Sequence, residues 1–268
     1  MEKHPDFFRK ARREWIEASQ FVLATDPELQ DEVHRRVLEA KSREPWVLFD
    51  LDSTLFEVQP RTEVILREWL QSTEAGRWPS LRERLGRVES HHLGYSLLDT
   101  WQALGVDPEE NLEVKEAWQA ARKHWARYFF SNEYLIHDRP YPGSAAFVRR
   151  LRDAGAGIAY LTGREEESMA EGTRLQLVRE GFPWAPPATR LLMKPRGGPA
   201  DAEYKREAAR RFVRSQGACV IASFENEPPN TAVLQEEFPE AMHVFVDTHC
   251  SDRPAAVCVN LYRLRHFG

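Results

Sequence analysis

Two carboxylates, Asp50 and Asp52, stand two positions apart where the apolar run Trp46-Val47-Leu48-Phe49 gives way to Ser53-Thr54. An uninterrupted apolar run is buried on both faces, the mark of a strand in a parallel sheet. Ligands in such sheets bind beyond the carboxyl ends of the strands, which puts Asp50 where chemistry is done. Two acids this close repel each other unless a cation or a shared proton relieves them. The blander alternative is a strand end whose acids merely solvate a loop or cap the next helix.

The elements that must position these acids follow from the pattern of the chain. Gly157-Ile158-Ala159-Tyr160-Leu161-Thr162-Gly163-Arg164 reads as a second strand, ending in a hydroxyl and a glycine. Ala218 to Phe224 reads as a third, running into Glu225-Asn226-Glu227, and His243 to Asp247 as another. The apolar tail from Ala255 adds an edge strand. Between the strands lie helices, one opening at Ser144 as N-cap with Phe147 and Leu151 inward, another from Ala202 to Gln216. Strands alternating with helices predict an α/β, doubly wound, Rossmann-like parallel sheet.

Two stretches fall outside this core. Residues 1–45 read as a helical extension, with Phe7, Phe8, Trp15, Ile16, Phe21 and Val22 on an apolar face. Its second helix is expected to start at Asp26-Pro27, carry Leu29, Val33 and Val37, and end before Pro45. It either packs on the core or covers the site. The second stretch is an excess of chain: Asp50 and Thr162 lie 112 positions apart (162 − 50), whereas a strand-helix-strand unit needs only about 30 residues. Residues 59–137 therefore form an inserted, all-helical unit, leaving 46–58 and 138–268 as the core. Its helices run over Arg61 to Trp78, over Leu97 to Leu104 with Gly105 closing, and from Asp107-Pro108 onward. The last carries the stripe Val114, Trp118, Ala121, Trp125, Tyr128 and Phe129, which reads as packing core rather than substrate stacking. His91 and His92 read as a solvated loop.

Composition sets the bounds. A chain of 268 residues with 42% apolar and 29% charged residues is globular and large enough for a core plus a second unit. A net charge of −5 without a basic block argues against a dedicated nucleic-acid binder. No signal-peptide core or membrane-length apolar run is present, so the expectation is a cytoplasmic protein without a membrane partner. Cys219, Cys250 and Cys258 have no metal-ligand spacing and read as incidental thiols. The three histidines near the end, His243, His249 and His266, share no ligand spacing either. Nothing here fixes an oligomeric state.

Asp50-Leu51-Asp52-Ser53-Thr54-Leu55 resembles the first motif of the haloacid dehalogenase-like hydrolases, Asp-x-Asp-x-Thr/Val, and the resemblance covers about half the chain. The strand ending in Thr162 is similar to the family's second motif. There Thr162 would donate its hydroxyl to a phosphate oxygen and Gly163 would let backbone amides approach. The third motif is a lysine, for which Lys205 and Lys194 are candidates; the spacing of Lys205 from the next acid favours it. Glu225 and Asn226 stand where the family usually carries a pair of Asp residues, a departure that removes one negative charge unless Glu227 compensates.

The resemblance implies a phosphatase: Asp50 attacks a phosphoryl group, and Asp52 protonates the leaving oxygen and later activates water. Magnesium would be held by the Asp50 side chain, the Asp52 backbone carbonyl and Glu225, with Asn226 as a further oxygen donor. Thr162 and the lysine would hold the remaining phosphoryl oxygens of a phosphorylated small-molecule substrate. The acid at Asp52 favours phosphoryl transfer over carbon–halogen cleavage, since dehalogenase-like members have no acid there. In the family, an insertion after the first motif forms a lid that selects the substrate. The alternative is a catalytically weak relative that binds a phosphorylated ligand or a protein partner. A manganese-dependent sugar transferase would leave Thr54, Thr162 and the lysine unexplained.

Overall fold

The computed structural model describes residues 10–268; Phe7 and Phe8 lie outside the described residues. In chain order the elements are α1 (Lys10–Ala18), α2 (Asp26–Glu39), β1 (Pro45–Phe49), β2 (Phe56–Glu57), α3 (Gln59–Gln71), α4 (Pro79–Leu85), α5 (Leu97–Ala103) and α6 (Leu112–Phe129). There follow β3 (Arg139–Pro140), α7 (Ser144–Asp153), β4 (Gly157–Glu165), α8 (Glu166–Arg179), β5 (Thr189–Lys194), α9 (Asp201–Gln216), β6 (Cys219–Glu225), α10 (Pro228–Glu237), β7 (Met242–Val246) and β8 (Tyr262–Leu264). The chain divides into two compact units: Val58–Arg139, and the described residues up to Glu57 together with Pro140–Gly268.

The second of these units holds a six-stranded sheet in the order β5-β4-β1-β6-β7-β8, every neighbouring pair parallel. This is the α/β, doubly wound, Rossmann-like core expected from the alternation of strands and helices. β1 sits centrally because all five of its residues are buried, and successive side chains point to opposite faces. Val47 and Phe49 join one hydrophobic cluster with Leu29, Val33 and Val37 of α2, Phe147 and Leu151 of α7, and Leu177 of α8. Trp46 and Leu48 join the other, with Tyr204, Ala209 and Phe212 of α9 and Leu234 of α10. At Gly157 a Cβ would come within 2.3 Å of the Trp46 ring, so only glycine lets β4 lie beside β1 there.

The amino-terminal helices belong to this unit. α2 packs into the α7 face, and Trp15 of α1 packs edge-on against Phe245 of β7 at 5.0 Å. The cap of α2 is Thr25 rather than Asp26. Thr25 and Glu28 form a reciprocal capping box, while the Asp26 carboxylate accepts from the backbone of Arg265 and His266. Ser144 likewise is the first helical residue and not the cap: Gly143 takes that place at φ +82°, and the Ser144 hydroxyl donates to Tyr141 O and Leu55 O.

The Val58–Arg139 unit is helical and has its own core of Trp69, Trp78, Trp101, Leu81, Leu85 and Ala117 among others. α6 begins at Leu112, later than the Asp107-Pro108 signal. Asn111 accepts from Val114 N, whereas the Asp107 side chain turns to Glu109 N and closes a turn. α3 stops at Gln71 and the 3-10 turn Ala75–Arg77 follows, where the sequence reading ran a single helix to Trp78; α4 begins only after that stretch. His91 and His92 lie in the 3-10 turn Ser90–His92 with their rings 3.8 Å apart. One contact joins the beginning of this unit to its end. The Arg61 guanidinium donates to both carboxylate oxygens of Asp138 (2.8 and 2.6 Å) and to Phe129 O at 2.9 Å, with both charged side chains fully buried.

Among the described residues, no helix is long and apolar enough to cross a membrane.

Candidate active site

Every site residue discussed here belongs to the unit that carries the sheet. Asp50 follows β1, and its backbone N–H donates to Phe224 O of β6 at 3.0 Å. The loop behind it is wound tightly. The Leu51 carbonyl accepts from the N–H groups of Thr54, Leu55 and Phe56, and Ser53 is held at φ +59°. A non-glycine residue in that region costs about 1–2 kcal/mol. The Thr248 hydroxyl donates to Ser53 O, and Ser53 N donates to Phe56 O at 2.7 Å, which together hold the conformation.

From α9, the side chain of Lys205 crosses to the ends of β1 and β6. Its ammonium donates to Asp50 Oδ1 and to Glu225 Oε2, each at 2.6 Å, with all three residues buried. The other Glu225 oxygen accepts from Glu227 N (3.1 Å) and Asn230 Nδ2 (3.3 Å). Burial pushes the Asp50 carboxyl up to about 7, and the nearby Glu225 charge adds to the shift, while Lys205 opposes it. Burial also raises Glu225, again against Lys205. Burial works against charge on Lys205, yet Asp50 and Glu225 outweigh it and hold the ammonium above its ordinary range. Two carboxylates share one ammonium, leaving the buried cluster short of positive charge.

That deficit is placed at a definite point. Thr54 Oγ1 lies 3.2 Å from Asp50 Oδ2 and 2.9 Å from Asn226 Oδ1. One hydroxyl proton therefore serves two acceptors, and the Asn226 orientation is fixed by its amide donating to His249 O at 2.6 Å. Convergent hard oxygens beside a carboxylate in excess fit a hard divalent cation. Glu225 is held by Lys205, Glu227 N and Asn230 Nδ2, and Asn226 Oδ1 shares the Thr54 hydroxyl with Asp50 Oδ2. The Glu227 carboxylate accepts from the N–H and hydroxyl of Ser251. Among the described residues, no group of three or more His, Cys, Asp or Glu side chains could hold a metal.

The neighbouring strand end supplies a polar surface. Thr162 is buried in β4, and its hydroxyl accepts from Arg164 N at 3.3 Å. At Gly163 an added Cβ would meet Asp201 Oδ2 at 3.2 Å, so glycine lets α9 begin close to this turn. Asp201 is in turn the partner of Lys194 at 2.8 Å. Lys194 thus does not join Asp50 and Glu225. The two lysines sit in different places because β5 ends beside the start of α9, whereas Lys205 lies one turn further along that helix. Asp52, across from Thr162, accepts from Arg164 Nε and NH2 at 2.9 and 2.5 Å. Arg164 was not singled out from the sequence; its position two residues beyond Thr162 was the available signal.

A doubly wound parallel sheet with a lysine-bridged carboxylate pair at its strand ends is a Rossmann-like α/β core of the kind that binds ligands at its switch point. The model of the haloacid dehalogenase-like hydrolase family matches residues 45–222, more than half of the chain, and the chain belongs to that family. No curated protein matches it. Among solved structures, one provisionally described as a phosphatase from Clostridium difficile is 16% identical, with a TM-score of 0.47, over 81% of this chain and 93% of that one. A predicted phosphoglycolate phosphatase from Haemophilus somnus is 13% identical (TM-score 0.45; 80% and 92% covered). L-2-haloacid dehalogenase from Xanthobacter autotrophicus is 15% identical (TM-score 0.39; 76% and 77% covered). Family membership rests on the sequence match, not on these likenesses.

Proposed function

We propose that this hydrolase is a magnesium-dependent phosphatase that cleaves phosphate monoesters through a phosphorylated Asp50. The observation that carries the reading is the pairing of two acids with different surroundings. Asp50 is buried on Lys205, whereas the Asp52 side chain is 31% exposed and bonded to Arg164. A buried carboxylate fixed by an ammonium suits in-line attack, and a partly exposed one suits proton exchange with substrate and water.

Asp50 attacks phosphorus as the ester P–O bond breaks, and the Asp52 carboxyl gives its proton to the departing oxygen. Asp52, now ionised, takes a proton from water as that water attacks the Asp50 phosphoryl group and restores the carboxylate. Thr162 and the backbone at Gly163 orient the phosphoryl oxygens, and Lys205 neutralises charge that builds on them. Asp50, the Asp52 backbone carbonyl and Asn226 would hold the magnesium ion, which when bound supplies positive charge beside the phosphoryl oxygens. The inserted helical unit, entered soon after the Asp50 loop, selects among substrates.

The second reading, a catalytically weak binder of phosphorylated ligands, is favoured by the neutral Asn226 at the cation position. Phosphate release from an aryl phosphate, with magnesium and with a chelator, tests the two readings. Magnesium-dependent turnover, lost in Asp50→Asn while the fold is retained, supports catalysis. Asp50→Asn activity within tenfold of the parent sinks the covalent route, and tight phosphate binding without turnover supports the binder.

A further inference from the structure

Arg164 is an almost completely enclosed cation of the sheet-bearing unit, with 1% of its side chain exposed, yet neither the metal nor the nucleophile uses it. Its three nitrogens are divided between two tasks. Nε and NH2 both donate to Asp52 Oδ1, at 2.9 and 2.5 Å. NH1 donates to Thr173 Oγ1 at 3.1 Å and to Gln176 Oε1 at 2.7 Å, both on α8. The guanidinium lies over the Phe56 ring, its carbon 5.9 Å from the ring centroid. A planar fork gripped at its far end cannot rotate, so the end that meets Asp52 is fixed as well.

The loop carrying Asp52 is held through its backbone at Ser53 and Leu51, and none of those bonds sets the direction of the Asp52 side chain. The guanidinium bonds that carboxylate directly. We infer that Arg164 is a positioning residue for proton transfer, aiming the Asp52 carboxyl at the leaving oxygen, with Thr173 and Gln176 of α8 as its anchor. This role rests on the phosphatase reading. A small error in the placement of a proton donor costs rate only where the proton matters. A staple that merely joined β4 to the β1 loop would cost rate on every substrate alike.

The test compares kcat/KM, which reports steps up to release of the alcohol, for two esters. A nitrophenyl phosphate has a leaving group that departs without a proton; a simple alkyl phosphate has one that needs it. Arg164→Met is expected to lower kcat/KM on the alkyl ester by about 10²-fold or more, the size of a general-acid contribution. On the aryl ester the loss stays below about tenfold, as it does for Asp52→Asn. Since both changes disable one proton transfer, the double variant should be no worse on the alkyl ester than Asp52→Asn alone. Gln176→Leu keeps the ion pair but loosens its anchor, and it should show the same selectivity more weakly; it also serves if Arg164→Met does not fold. Equal losses on both esters, or additive losses in the double variant, overturn the positioning role while leaving the phosphatase reading intact. A parent that releases phosphate from neither ester overturns the phosphatase reading itself, and this role with it.

Discussion

Replacing Lys205 by Met removes the one positive charge between Asp50 and Glu225 and leaves two buried carboxylates facing each other. Breaking a buried ion pair from one side costs about 3–5 kcal/mol, because the abandoned charge stays desolvated. The cluster has one way to soften this, which is to bind a proton on one carboxyl. The folded variant then carries one more proton than its unfolded chain, whose carboxyls are ionised near neutrality. The variant's stability must therefore fall as pH rises, by up to about 1.4 kcal/mol per pH unit, more steeply than in the parent, whose Asp50 carboxyl already lies up at about 7. Urea unfolding at about pH 6 and about pH 8 would reveal a difference of up to roughly 2.7 kcal/mol between the two conditions. The protonated pair also deprives Asp50 of its nucleophilic form, so phosphate release should fall by about 10³-fold. Lys194→Met is the control. Its partner Asp201 has 45% of its side chain exposed, and such a pair is worth about 1 kcal/mol or less. Parent-like activity in Lys205→Met, or a stability curve parallel to the parent's across that range, would refute the reasoning.

Other perturbations probe separate parts of the molecule. Asn226→Asp adds a second carboxylate beside Thr54 and should lower the magnesium concentration needed for half-maximal binding, measured calorimetrically; an unchanged or weaker titration counts against Asn226 as a ligand. Arg61→Met abandons the Asp138 carboxylate in the helical unit and should destabilise it by about 3–5 kcal/mol, whereas replacing both partners by apolar residues should recover much of that loss. If the double replacement is the worse of the two, the pair is worth more than its desolvation. Burial holds the His243 imidazole below its ordinary range, with Nε2 at 2.9 Å from Phe238 O and Nδ1 at 2.7 Å from the Ser223 hydroxyl. A depressed folded value means stability is complete above about pH 6.5 and declines as pH falls below it. In denaturation curves at acid and neutral pH, His243→Gln should therefore show a smaller acid loss than the parent, and an identical loss would rule out His243 as its source.

The parts of this architecture that were readable in advance are those written in contiguous residues. β1 could be read because Trp46 to Phe49 face two apolar layers, so both phases of the strand are hydrophobic and the run ends abruptly at Asp50. β4 and β6 are legible for the same reason. What escaped depends on how distant segments meet. Lys194 follows the apolar triplet Leu191-Leu192-Met193 and Lys205 lies in a helical stretch, yet only the path of α9 across the sheet separates a lysine bonded to Asp201 from one bonded to Asp50 and Glu225. The bonds that Glu225 makes to Lys205, Asn230 and Glu227 N depend on α9 and α10 meeting the end of β6, which no local stretch of sequence records. Arg164 carries no local sign of burial, since its enclosure comes from Thr173 and Gln176 on the next helix. Helix starts were shifted for a related reason: Thr25 and Asn111 outcompete nearby aspartates that bond elsewhere.

The Arg61–Asp138 clasp has a consequence for how such a protein diversifies. It fastens the first turn of the helical unit to the residue just before its final strand, so a stretch of some eighty residues begins and ends at nearly one point. The host sheet therefore meets the insertion as if it were a short turn. A disordered loop of that length would cost closure entropy growing with the logarithm of its size, whereas a unit that gathers its own ends removes that burden from its host. With its own tryptophan-rich interior, such a unit can accumulate substitutions, or be exchanged for another of different sequence, without disturbing the strand that leads into Asp50. Selection on the insertion and selection on the strand-end carboxylates can then proceed at separate rates within a single polypeptide.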